Sequence, residues 1–68
     1  MYYLVVIKSD SQAIYSYESE DTARSAYHTE LASAYSYYEQ GTISSFTIMI
    51  LNQSGDTITK EFKFKQVN

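Results

Sequence analysis

The chain has 68 residues, of which 44% are hydrophobic and 19% charged, and its formal net charge is −3. A chain of that size makes one small domain, residues 1–68, and buries only about 60% of the surface it exposes when unfolded. With no cysteine and a single histidine, disulfides, thiolate or His-rich metal sites and a thiol nucleophile are excluded, which leaves association with further copies as the source of added stability.

Other classes fall away on similar grounds. The mild acidity argues against a nucleic-acid binder that relies on a basic surface. No D-x-D-x-D-G calcium loop is present. Eight tyrosines and three phenylalanines are a heavy aromatic load, suited equally to sheet positions and to interfaces.

The first element is a continuous β-branched and aromatic run over residues 2–8, the mark of a strand covered on both faces. Lys8 and Asp10 end this run well short of a signal-peptide or membrane-spanning length, so a cytoplasmic protein without a membrane segment is expected. Ser9, Asp10, Ser11 and Gln12 are turn formers. A second strand over residues 13–18 completes a hairpin, with Ile14, Tyr15 and Tyr17 as its bulky members.

Ser19 then reads as the N-cap of a helix with Glu20 and Asp21 in its first turn, and Gly41 as the residue just past its end. Ala23, Tyr27, Leu31, Ala34 and Tyr38 form one stripe, flanked by Ala26 and Tyr37. The small alanines predict close approach to a sheet. On the same wheel Tyr38 is buried, Tyr37 marginal and Tyr35 exposed.

Residues 45–52 form another apolar strand, with Phe46, Ile48 and Ile50 on one face and Met49 and Leu51 on the other. A loop at residues 53–56 offers Gly55 for a left-handed position. In the last strand, residues 57–66, Ile58, Phe62 and Phe64 point one way with Lys60 among them. Thr57, Thr59, Glu61, Lys63 and Lys65 point the other way, as on a half-exposed edge.

The order β-β-α-β-β predicts an α+β fold, a four-stranded antiparallel sheet with one helix packed on one face. The first and third strands, being the most apolar, are expected at the centre. One helix covers one face only, yet both central strands are apolar on both faces. A homodimer or higher oligomer is therefore expected, with Tyr2, Leu4, Val6, Met49 and Leu51 at its interface.

The catalytic inventory is thin. His28 stands alone on the helix near the solvent edge of the stripe, and Gly41 and Gly55 are isolated, so neither a nucleophile elbow nor a phosphate-cradling loop exists. Glu18, Glu20 and Asp21 are accounted for as partners of the helix dipole, and Glu30 at the border of the stripe needs a partner such as Arg24 or a tyrosine hydroxyl. No catalytic residue, cofactor or metal is assigned, and the chain is read as non-enzymatic. Candidates for binding a partner or a small anionic ligand are Tyr35, Tyr37, Arg24, His28, Lys60 and Lys63. The lysines of the last strand serve equally as protection against edge-to-edge pairing.

The opening strand Tyr2-Tyr3-Leu4-Val5-Val6-Ile7, the helix face from Ala23 to Tyr27 and His28, and Leu51-Asn52-Gln53-Ser54-Gly55 before the last strand together give a pattern of size and element order. It resembles that of the small accessory proteins encoded by phages and prophages of Gram-positive bacteria. The resemblance implies a stoichiometric antagonist of host defence, acting on a host protein or as an oligomeric cage for a nucleotide signal. Three functions are thus in view: a protein-binding antagonist, an oligomeric small-ligand or nucleotide sponge, and a structural or regulatory subunit.

Overall fold

The computed structural model describes residues 1–64. Lys65 and Gln66, placed at the end of the last strand by the sequence pattern, lie outside the described residues. The elements are β1 (Tyr2–Lys8), β2 (Ser11–Tyr17), α1 (Glu20–Gln40), β3 (Ser45–Leu51) and β4 (Thr57–Phe64). The four strands form one antiparallel sheet in the order β2-β1-β3-β4, and α1 packs on one face of it. The two most apolar strands lie at the centre, as expected.

The first hairpin is tighter than the run of turn formers suggests. Lys8 pairs with Ser11, so the loop is Ser9 and Asp10 alone, and neither residue has a positive φ. Ser9 fastens this turn to the start of β3. Its N–H donates to the Ser45 carbonyl at 3.0 Å and its Oγ accepts from the Ser44 N–H at 3.1 Å.

Both ends of α1 are capped by the residues the sequence marks. The Ser19 Oγ accepts from the Thr22 N–H at 3.2 Å, satisfying one of the donors orphaned in the first turn. At the other end Gly41 has φ 83°. Its N–H donates to the Tyr38 carbonyl and that of Thr42 to the Tyr37 carbonyl, at 3.2 and 3.0 Å, which is a Schellman closure.

The core lies between α1 and the sheet: Ala23, Tyr27 and Ala34 from the helix, Leu4 and Val6 from β1, and Phe46, Ile48 and Ile50 from β3. Ile43, in the connection after Gly41, completes it and was not marked by any periodicity. Leu31 and Tyr38 are half-buried and pack against this cluster.

β4 departs from expectation in which way it faces. Its alternation is present, but Thr59, Glu61 and Lys63 stand opposite Ile50, Ile48 and Phe46 on the helix side. Phe62 and Phe64 therefore point away from the helix. The register shifts between Ile50 and Leu51, where Thr59 and Thr57 are the respective partners. Ile58 is the extra residue of this bulge, and it alone of the apolar set turns in to pack on the core. A bulge adds one residue to one strand and so reverses the facing of everything on one side of it.

Ala34 is fully buried and Ala32 on the same helix is exposed. Ala34→Leu therefore overpacks the helix–sheet contact and lowers stability by about 1–3 kcal/mol, while Ala32→Leu stays within about 0.5 kcal/mol of wild type. Urea unfolding of the two variants beside wild type measures the difference.

Candidate functional site

The surface with most to offer a partner is the sheet face that α1 leaves uncovered. Strand register assigns its residues. Tyr3 lies beside Leu51, Val5 beside Met49 and Ile7 beside Thr47. Ile14 lies next to Val5 on one flank, and Phe62 next to Thr47 on the other. Ile14 is 69% exposed, Phe62 54% and Phe64 60%, values far above those of the same residue types in a core. The Phe62 and Phe64 rings stack with centroids 6.4 Å apart.

Charge is almost absent from this face among the described residues. Lys60, opposite Met49, is its one charged side chain, and it belongs to an edge strand. Its Nζ lies 5.5 Å from the centroid of the Phe62 ring, a cation–π contact that holds the ammonium at the rim. The remaining acids are carried by turns, the helix and the helix side of the sheet, so the open face is neutral at its centre within an acidic chain.

Three strands of seven residues and one of eight, spaced about 4.8 Å apart at about 3.3 Å per residue, give a flat footprint of roughly 460 Å². Side chains standing above the pleat raise the accessible area further. That approaches the smallest area per partner at which specific association is expected, about 500 Å².

The interface residues expected from sequence divide between the two faces. Leu4 and Val6 are only 1% and 4% exposed because α1 lies directly on them, and Tyr2 packs half-buried against the same core. These three are corrected to the helix side, where the fold itself has already used them. Met49 and Leu51 remain on the open face. The sequence showed that both sides of β1 are apolar but carried no sign of which side the helix takes.

The candidate binding residues do not converge in one chain. The Arg24 guanidinium pairs with Glu20 one turn earlier at 2.8 Å, so it does not serve Glu30. His28 is exposed, its ring edge-on to Tyr27 at 5.5 Å. Tyr37 is exposed, with the Lys8 Nζ 5.6 Å from its ring centroid. Lys63 is on the helix side of β4 and Lys60 on the other. The sheet therefore stands between Lys60 and the helix that carries Arg24, His28, Tyr35 and Tyr37.

Tyr35 is a correction in its own right. The wheel placed it in solvent, but it is half-buried. Its hydroxyl donates to the Glu61 carboxylate at 2.5 Å and its ring meets Phe46 edge-on at 5.0 Å. A helical wheel has no knowledge of a strand 26 residues away in the chain, and Glu61 faces the helix only because of the β4 register. The bond pushes the Tyr35 phenol above its ordinary value of 10.0; partial burial and the negative charge of Glu61 add to the effect.

Two concavities stand out among the described residues. One of about 440 Å³, on the open face near β2, is lined by Val5, Ile7, Gln12, Ala13 and Ile14. The other, about 100 Å³ at the C-terminal end of α1, is lined by Lys8, Asp10, Ser11, Tyr37, Thr42 and Ile43. Ligand pockets for drug-sized molecules run to about 300–1,000 Å³, so the second is too small for a nucleotide and the first offers it no cation.

Among the described residues no three His, Cys, Asp or Glu side chains come together as a metal site, and no helix is long and apolar enough to cross a membrane. No protein-family model, no curated protein and no solved structure matches this chain.

The Tyr35–Glu61 bond has a pH signature. The folded phenol holds its proton above pH 10.0, so the stabilisation is complete below that pH and declines above it, where the unfolded-state phenol ionises first. Absorbance titration at 295 nm should show a tyrosine component above pH 10 that disappears in Tyr35→Phe. The stability gap between the two proteins should be constant from neutral pH up to about 10 and shrink above it.

Proposed function

We propose that this protein is a non-enzymatic interaction protein that works by stoichiometric contact with other proteins. Two copies pack their open sheet faces together, and the assembly presents its remaining surface to a protein partner. The observation that carries the reading is the apolar, nearly charge-free sheet face made by Tyr3, Val5, Ile7, Met49, Leu51 and Phe62. Exposed apolar patches of this extent mark interaction sites, and an isologous contact between identical neutral faces opposes no charges at its centre. In the setting of a phage-type accessory protein, the partner is a host protein and the effect is antagonism.

A nucleotide sponge draws on no comparable feature. It needs a pocket at a subunit boundary in which Arg24, Lys60 or Lys63 faces an aromatic, and one chain holds Lys60 and Lys63 on opposite sides of the sheet.

A face of this size gives a dimer of modest affinity, with a Kd on the order of micromolar. Sedimentation velocity across a range of concentrations should show a reversible dimer of the 7.8 kDa chain. Met49→Lys, at the centre of the face, should be monomeric with unchanged far-ultraviolet circular dichroism. A wild-type chain that stays monomeric at several hundred micromolar would overturn the two-copy packing.

A further inference from the structure

The two edges of the sheet are built differently. β4 carries Lys60, Glu61 and Lys63 and is bent by the bulge at Ile58. Charges and bulges of this kind keep an edge from pairing with another strand. β2, Ser11–Tyr17, has neither charge nor proline. Its register with β1 is unbroken from Lys8↔Ser11 to Tyr2↔Tyr17. Among the described residues, no hydrogen bond from a loop, cap or side chain reaches the backbone of residues 11–17. Every second residue of β2 thus presents its N–H and C=O outward.

We propose that the β2 edge receives an extended segment of a partner protein, one with alternating apolar side chains and basic residues at its two ends. Main-chain hydrogen bonds to an exposed edge supply affinity in this mode, and alternate side chains supply specificity. On one side of the added strand, an apolar side chain meets Ile14, exposed at the outer margin of the open face. On the other it meets Tyr15, which is exposed on the helix side.

Charge selects the occupant. Asp10 and Glu18 flank β2 immediately at its two ends. In the antiparallel register that pairs all seven residues of β2 with a second copy, Ile14 lies on the two-fold axis and Asp10 falls opposite Glu18 at both ends. Like charges directly opposite one another destabilise a strand pair. A segment with lysine or arginine at those positions finds a carboxylate at each end instead. This inference rests on the reading of the chain as a protein binder, but not on the packing of two open faces.

The test uses the full chain, ¹⁵N-labelled, at low salt. The probe is the nine-residue acetyl-Lys-Thr-Val-Thr-Val-Thr-Val-Thr-Lys-amide, which spans residues 10–18 with a valine opposite Ile14, set against the same peptide with glutamate ends and against a version N-methylated at alternate amides. Amide shifts should concentrate in residues 10–18 and their β1 neighbours. The basic peptide should bind roughly five- to tenfold more tightly than the acidic one, and N-methylation should abolish binding. In the Asp10→Asn, Glu18→Gln double variant, the preference should fall to about twofold or less.

Shifts confined to β4 or the centre of the open face, equal affinity for both peptides, or no shifts at millimolar peptide would overturn the proposal. Intermolecular backbone NOEs between the β2 strands of two copies, without peptide, would overturn it in favour of self-pairing. A chain that is monomeric by sedimentation yet binds the basic peptide would remove the two-copy packing and leave this inference standing.

Discussion

One helix cannot cover two faces of a sheet, and the rest of the molecule follows from that constraint. α1 supplies Ala23, Tyr27 and Ala34 to a single seam, and Leu4, Val6, Phe46, Ile48 and Ile50 meet it from below. The two alanines bring the helix backbone close, so the core is thin and complete on that side. The same central strands carry Tyr3, Val5, Ile7, Met49 and Leu51 on the reverse. Nothing else among the described residues is available to bury them. The hydrophobic term favours covering such a surface at roughly 25 cal/mol per Å², and a small chain has little stability to spare without it.

The Tyr35–Glu61 bond adds to the apolar seam that holds the helix on this sheet. It ties the C-terminal half of α1 to β4 at the sheet's guarded edge, and the edge-on contacts of Tyr35 and Tyr38 with Phe46 add to the same anchor. At the opposite edge β2 carries exposed Ile14 and Tyr15. One edge is thus charged, bulged and latched to the helix; the other is regular, uncharged and bounded by acids. An asymmetry of that kind separates a protected flank from one suited to recognition.

Much of this architecture was legible in the residues. The unbroken apolarity of residues 2–7 and 46–51 placed β1 and β3 at the centre, and Ser19 and Gly41 marked the helix ends because each cap has its own chemistry. Elements whose evidence is periodic and local could be read directly. What was hidden depended on contacts distant in sequence. The bulge at Ile58 turned Phe62 and Phe64 outward without leaving a mark on their alternation. Tyr35 looked exposed because its partner is Glu61, and Leu4 and Val6 looked eligible for an interface because both sides of β1 are apolar. For the same reason the cationic candidates scattered: Arg24, Lys60 and Lys63 are near one another only in composition.

The two-copy packing of the open faces is tested most directly by isotope-filtered NOE spectroscopy on a mixture of ¹³C-labelled and unlabelled chains. Cross-peaks between copies should join the Met49 methyl group to Val5, Ile7 or Leu51 and should be absent for Ala32 on the exposed side of α1. Intermolecular contacts that arise from α1, or none at all at millimolar concentration, would contradict it.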